Sequence, residues 1–380
     1  MGPNVVAELS EALEAPFAAL GREPERDRGT VVISWPSVPV EIIRAAGFRP
    51  VVARGSGTPT PGADVVIEAD VFPSRLRQLV EAAMTGRLAD VAAVVLPRTS
   101  DADYKCFLYL RELVRRNVVA RLPPVWLFDL LQSGGADVPA YDCERAHELL
   151  EKLATLSGLR PERRDLEQQI ALANRARAAA RRFDALRRDM PRIAGVEAVR
   201  LLGVFWEVDP ERYVALAEAA VAVVADRSPL RGPRVLLAGA PVDSTALHAA
   251  IEVQGAVVVS ELSPLGSGAA GPDVEFSAEP LQALVEHYRR ESIDARMPVG
   301  ALMRRMEDSL DGIDAVVVSL PPDDASFGWD YPRLRESLAR RSIPHAVLRG
   351  DPASSTTAAD RERLQTLLRA VAQTSGVRHG

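Results

Sequence analysis

The apolar positions of this chain switch between two periods, and the order of the switches outlines its architecture. Residues 4–21 place Val5, Leu9, Leu13, Phe17 and Leu20 at helical spacing, followed by a charged break from Gly21 to Gly29. Val31-Val-Ile-Ser then reads as a buried strand, a short β-branched run bounded by turn residues. Pro39 to Gly47 reads as a short helix ended by glycine, and Pro50-Val-Val as the next strand. The alternation continues with a strand at Val65-Val-Ile, a helix over 73–85, a strand over 91–96, a helix over 102–116 and a strand over 125–128. From Tyr141 to Arg188 the pattern is helical and highly charged, and the arginine-rich run Asn174 to Arg182 reads as a solvated face. A second alternating region begins at Gly232. It has strands over 234–239, 256–259, 315–319 and 345–348, with helices over 244–254, 331–341 and 358–372.

Strands alternating with helices at this spacing predict parallel sheets covered on both faces. The expected fold is α/β, with two doubly wound parallel-sheet domains of Rossmann or flavodoxin-like type. The expected segments are an N-terminal helix over 1–28, a first α/β domain over 29–140, a helical connector over 141–230 and a second α/β domain over 231–380. A cleft between the domains is the expected ligand site, because such sheets bind ligands beyond their carboxyl strand ends. Gly47 and Gly255 each end a helix, where a positive φ favours glycine.

Composition narrows the function classes. A formal net charge of −6 gives no basic surface for nucleic acid. No apolar run approaches the roughly 18 residues that span a bilayer. The start, Met1-Gly-Pro-Asn, lacks the basic and apolar regions of a secretion signal, so a cytoplasmic location is expected. Only two cysteines occur, Cys106 and Cys143, and the five histidines are scattered, which leaves too few ligands for a metal centre built by this chain. Gly266-Ser-Gly-Ala-Ala-Gly271 has G-x-G-x-x-G spacing but does not directly follow an expected strand, and no P-loop or G-x-S-x-G pattern is present. The small-residue segment Ser260 to Gly268 follows a strand and is either a ligand-lining loop or a plain surface turn. Three further segments leave expected strand ends and are positioned to converge on one cleft: Ala69 to Arg75, Leu96 to Asp101, and Ser319 to Ser326.

Five motifs occur in order along nearly the whole chain: Pro39-Val-Glu-Ile-Ile-Arg-Ala-Ala-Gly-Phe-Arg-Pro-Val51; Thr99-Ser-Asp101; Asn174-Arg-Ala-Arg177; Ala250-Ile-Glu-Val-Gln-Gly-Ala-Val-Val258; and Asp330-Tyr-Pro-Arg-Leu334 with Ile343-Pro344 and Asp351. Together they resemble the 2-hydroxyacyl-CoA dehydratase and benzoyl-CoA reductase family, in particular its D-component-like subunits. The resemblance implies removal of water from a 2-hydroxyacyl thioester, or reduction of an aromatic one. Electrons in that family pass singly through a [4Fe–4S] cluster held by three cysteines per subunit. At the matching positions this chain has Phe72, Ser100, and Asp323 or Asp324. It is therefore expected to bind no cofactor itself, with any [4Fe–4S] cluster carried by a partner subunit.

Three functions follow from the resemblance. The chain is a cluster-free subunit of a lyase-type complex, paired with a homologous cysteine-containing subunit or with itself and acting on an acyl thioester. Alternatively it is a repurposed redox-free enzyme, or a non-catalytic scaffold or ligand-binding protein. The candidate catalytic groups are Ser100, Asp101, Asp323 and Asp324. The candidate substrate-facing residues are Ser34, Trp35, Pro39, Glu41, Phe72, Arg75, Glu252 and Ser263.

Overall fold

The computed structural model describes residues 29–378 except 120, 277–278, 325 and 354–355. The helix expected over 4–21 lies outside the described residues. Thr30–Ile33 (β1), Arg49–Val52 (β2), Ala93–Pro97 (β3) and Val125–Phe128 (β4) form one parallel sheet in the order β2-β1-β3-β4. Arg234–Gly239 (β5), Val257–Glu261 (β6), Ala315–Ser319 (β7) and His345–Leu348 (β8) form a second parallel sheet in the equivalent order β6-β5-β7-β8. Stretches such as Thr30-Val-Val-Ile33 and Ala315-Val-Val-Val-Ser319 are buried at every position, which is why they read as apolar runs and not as alternating strands.

Each sheet is covered on both faces, so the two doubly wound domains are as expected. In the first, Ser74–Met84 (α2) and Asp101–Arg115 (α3) pack on one face. The other face is covered by Val40–Ala45 (α1) and the connector helices Val138–Ser157 (α4) and Arg163–Asp184 (α5), while Gly195–Gly203 (α6) packs against β6 of the second sheet and Pro210–Ala225 (α7) packs on α5. In the second, Ala246–Glu252 (α8) and Ala358–Arg378 (α12) cover one face. Val299–Asp308 (α10) and Phe327–Arg340 (α11) cover the other. Pro280–Glu291 (α9) follows β6 in sequence but packs against α4 and α5, which stitches the second lobe to the connector.

Two sequence expectations are corrected. Val65-Val-Ile is not a strand: Ala63–Val65 is a short 3₁₀ turn, and Val65 is 80% exposed. The buried residues are Ala63 and Ile67, four apart, which is helical spacing; the three apolar neighbours concealed it. The arginine-rich run on α5 is not wholly solvated either. Arg177 is buried and paired with Glu41 of α1 at 2.8 Å, while Asn174 holds both the N–H and the carbonyl of Val274.

A second buried pair follows α5. Arg187 meets both oxygens of Glu261 at 2.6 Å and also bonds Asp184 at 2.8 Å. Burial alone would raise the Glu261 carboxyl, but Arg187 and His248 outweigh it and hold that carboxyl well below its usual range. The connector is thus pinned to the first lobe through Arg177 and to the second through Arg187.

Candidate functional site

Strand order reverses between β1 and β3 in the first sheet, and between β5 and β7 in the second. Such switch points leave a crevice at the carboxyl strand ends, because the following connections depart to opposite sides. In this chain the two crevices face one another. The loops after β1 (Trp35), β3 (Thr99, Ser100), β5 (Ala240 to Asp243) and β7 (Pro321 to Asp324) line one cavity of about 360 Å³. The N-terminal part of α2 and the segments around Asp294 and Asp351 complete its wall.

The first-lobe side is organised around Asp103, which is absent from the candidates read from sequence. It is fully buried at the start of α3. Its carboxylate accepts hydrogen bonds from Ser34 Oγ (3.0 Å), Thr99 Oγ1 (2.9 Å), Ser100 Oγ (2.6 Å) and Arg75 Nη2 (2.9 Å). Ser100 is the N-cap of α3 and also accepts the Asp103 N–H at 3.1 Å. The Arg75 guanidinium donates to the Ser34 carbonyl and lies 4.7 Å over the Trp35 ring, so these partners all lie within the wall. The spacing Ser100-x-x-Asp103 is a capping signature, and it is the sequence signal for Asp103.

The second-lobe side is different. Asp243 is buried, and its one hydrogen-bond donor among the described residues is the backbone N–H of Gly55, at 3.0 Å to Oδ2. The approach is so close that a Cβ on residue 55 would lie 2.7 Å from Asp243 Oδ1 and 2.8 Å from Ala353 Cβ. Burial pushes the Asp243 carboxyl up to about 6, with Asp351 adding to the rise against Arg75 and Arg54. Asp294 is likewise pushed up to about 6 by burial, although Ser37 Oγ (2.7 Å) and the Arg296 N–H (2.8 Å) bond it.

The adjacent pair Asp323 and Asp324 divides its labour. Asp324 caps α11 by accepting the N–H groups of Phe327 (3.1 Å) and Gly328 (2.7 Å). Asp323 lines the cavity and is pushed up by burial, with Asp351 supplying carboxylate repulsion.

Of the other sequence candidates, Trp35, Arg75, Ser100 and Asp101 line the cavity, and Ser34 stands behind them on Asp103. Asp101 is exposed at its edge. Phe72 is buried in the first-lobe core, edge-on to Tyr109 with ring centroids 5.9 Å apart. Pro39 precedes α1, and Glu41 is held by Arg177 and the Tyr288 hydroxyl, both at 2.8 Å. Glu252 caps the start of α6 through the N–H groups of Gly195 (2.5 Å) and Val196 (3.1 Å). Ser263 donates to the Val242 carbonyl at 2.8 Å, within the loop after β6. The structure therefore brings Trp35, Arg75, Ser100, Asp101, Asp323 and Asp324 to one cavity, and places Pro39, Glu41, Phe72, Glu252 and Ser263 elsewhere.

The cavity's donor set does not fit an iron–sulfur cluster. Such clusters are held by thiolates, and neither cysteine lines the wall. Cys106 is buried on α3, where burial drives its thiol far up and keeps it protonated. Cys143 sits half-buried on α4, also with a raised pKa from burial. Among the described residues no three His, Cys, Asp or Glu side chains gather as metal ligands. What the wall offers is proton exchange through carboxyls near neutrality and hydrogen bonding to a polar ligand.

A family model described as "2-hydroxyglutaryl-CoA dehydratase, D-component" matches residues 37–371. No curated protein matches the chain. Among the described residues no helix is long and apolar enough to cross a membrane.

Proposed function

The chain belongs to the 2-hydroxyglutaryl-CoA dehydratase D-component family, and on that premise we propose that it is a cluster-free subunit of a dehydratase-type complex. One observation carries this reading. At the positions where the family resemblance implies sulfur ligands, no side chain is a thiol. Phe72 fills the core, Ser100 caps α3, and of the two aspartates matched to the third position Asp324 caps α11 while Asp323 lines the cavity. A site with its ligands reassigned in this way does not regain a cluster by small side-chain movement. The complex then requires a homologous partner that retains its cysteines and delivers electrons, while this chain contributes fold, interface and contacts to an acyl thioester in the interdomain cavity.

The test is anaerobic co-purification from the native host, with iron and sulfide measured on each chain after separation. The reading expects both on the partner alone. Stoichiometric iron and sulfide on this chain would overturn it.

A second reading, redox-free acid–base chemistry in the same cavity, is favoured by Asp243. A carboxyl held near 6 exchanges protons readily around neutral pH. Turnover of a hydroxyacyl thioester by the isolated, iron-free chain in air would select this reading over the first.

A further inference from the structure

The wall of the interdomain cavity is unbalanced in charge. Eight aspartates line it, against Arg75 and Lys105. Several of the eight are already engaged. Asp103 is saturated by four side-chain donors, Asp294 is bonded by Ser37 and Arg296, Asp324 caps α11, and Asp351 pairs with Arg77 at 3.1 Å. Arg75, the wall's guanidinium, belongs to Asp103. Arg54, the other guanidinium acting on Asp243, is paired with Glu207 at 2.8 Å.

Asp243 is the exception among the buried members. It is 8% exposed and faces the cavity, yet among the described residues only Oδ2 receives a donor, the Gly55 N–H, while Oδ1 receives none. Asp323, on the loop after β7, also faces the cavity and shares the electrostatic influence of Asp351 and Arg75 with Asp243. A largely buried carboxylate whose nearby guanidiniums are bonded to other carboxylates is costly, and a cation arriving from solution lowers that cost. A metal ion is not the matching cation, since no three of these carboxylates gather at ligand spacing among the described residues. An organic cation needs no such convergence. Trp35, Pro241, Pro321, Pro322 and Phe327 provide apolar surface beside the two carboxylates for its carbon chain.

We propose that the interdomain cavity selects a ligand bearing an ammonium group, met by Asp243 and Asp323, with its aliphatic part against the proline and tryptophan wall. The inference rests on the reading of this cavity as the substrate site. It specifies that the acyl portion is amino-substituted and not acidic, because a carboxylate there would face an uncompensated acidic wall.

Isothermal titration of the isolated chain at neutral pH and low salt, with three four-carbon probes, tests it. The expected result is that 1,4-diaminobutane binds, while 1,4-butanediol and succinate do not. Asp243→Asn is expected to weaken the diamine by roughly tenfold or more, Asp323→Asn to weaken it less, and the surface control Asp90→Asn to leave it unchanged. Far-UV circular dichroism verifies that each variant is folded, and Asp323→Asn serves alone if Asp243→Asn is not. Equal binding of all three probes, no binding of the diamine, or the same loss in Asp90→Asn as in the cavity variants overturns the proposal. The titration uses neither iron nor partner. Its failure therefore leaves the cluster-free subunit standing, and iron found on this chain would end that reading without altering the diamine result.

Discussion

Two regions of this molecule bury charge, and they do so in opposite ways. The connector buries Arg177 against Glu41 and Arg187 against Glu261, with every charge met by an opposite one at 2.6–2.8 Å. The interdomain cavity buries Asp243 and half-buries Asp323 with no opposite charge bonded to them among the described residues, and loss of solvent pushes both carboxyls upward. Paired buried charge fixes geometry, because removing one partner strands the other. Unpaired buried charge stores an unmet demand that a proton or a ligand satisfies. The contrast separates the residues that hold the two lobes in register from those available for chemistry, and Glu41 belongs with the former.

The largest effect is expected from breaking an anchor. Arg187→Met strands Glu261 and Asp184 in the interior and should destabilise the protein by about 3–5 kcal/mol in urea unfolding. A loss below about 1 kcal/mol would mean that this pair does not pin the second lobe. Removing the unmet charge should do the reverse. In the folded protein Asp243 titrates near 6, above its ordinary value, so below about pH 4 both states hold the proton and the group contributes no pH dependence. As pH rises from about 4 to 6 the unfolded chain releases its proton first, and stability falls until the folded group also ionises. Asp243→Asn should therefore gain about 1–3 kcal/mol at pH 7, with the gain disappearing near pH 4. A variant as stable as wild type at pH 7 would place Asp243 outside the group of uncompensated charges.

A smaller effect, with no charge involved, calibrates both. Gly47 and Gly255 each sit at φ +84°, and a Cβ at Gly255 would meet nothing within 4 Å. Gly255→Val should then cost about 1–2 kcal/mol from backbone strain alone, read as a lower unfolding midpoint. Unchanged melting would show that the helix end relaxes freely. The smallest effect is the most pointed: Ser100→Cys should not load iron, since Phe72 remains in the core and Asp324 on its cap. A brown, iron-loaded Ser100→Cys protein would contradict the assignment of those two residues to structure.

Much of the fold is legible in the sequence because it rests on local pattern. All eight described strands lie in β-branched or apolar runs, and the helix-ending glycines Gly47 and Gly255 have the left-handed φ their positions require. Val65 misleads because three apolar residues in a row carry no period of their own. Helices α6, α7, α9 and α10 are not apparent from spacing, although Pro210 and Pro280 open two of them at a favoured first position. The site is less legible, for a physical reason. Asp101 and Asp103 look alike in sequence, yet one is exposed and the other collects four donors, from the loops after β1 and β3, from α2 and from its own cap. Asp243 is set apart by Gly55, 188 positions away, and Glu252 by the start of α6. Such roles exist only once the lobes are assembled.

Anaerobic reconstitution of the isolated chain with ferrous iron and sulfide addresses the central claim most directly. After desalting, a chain whose cavity lacks sulfur ligands should remain colourless, with iron far below one cluster per molecule. A brown protein retaining four irons and four sulfides per chain, with visible absorption lost on chelation, would contradict it.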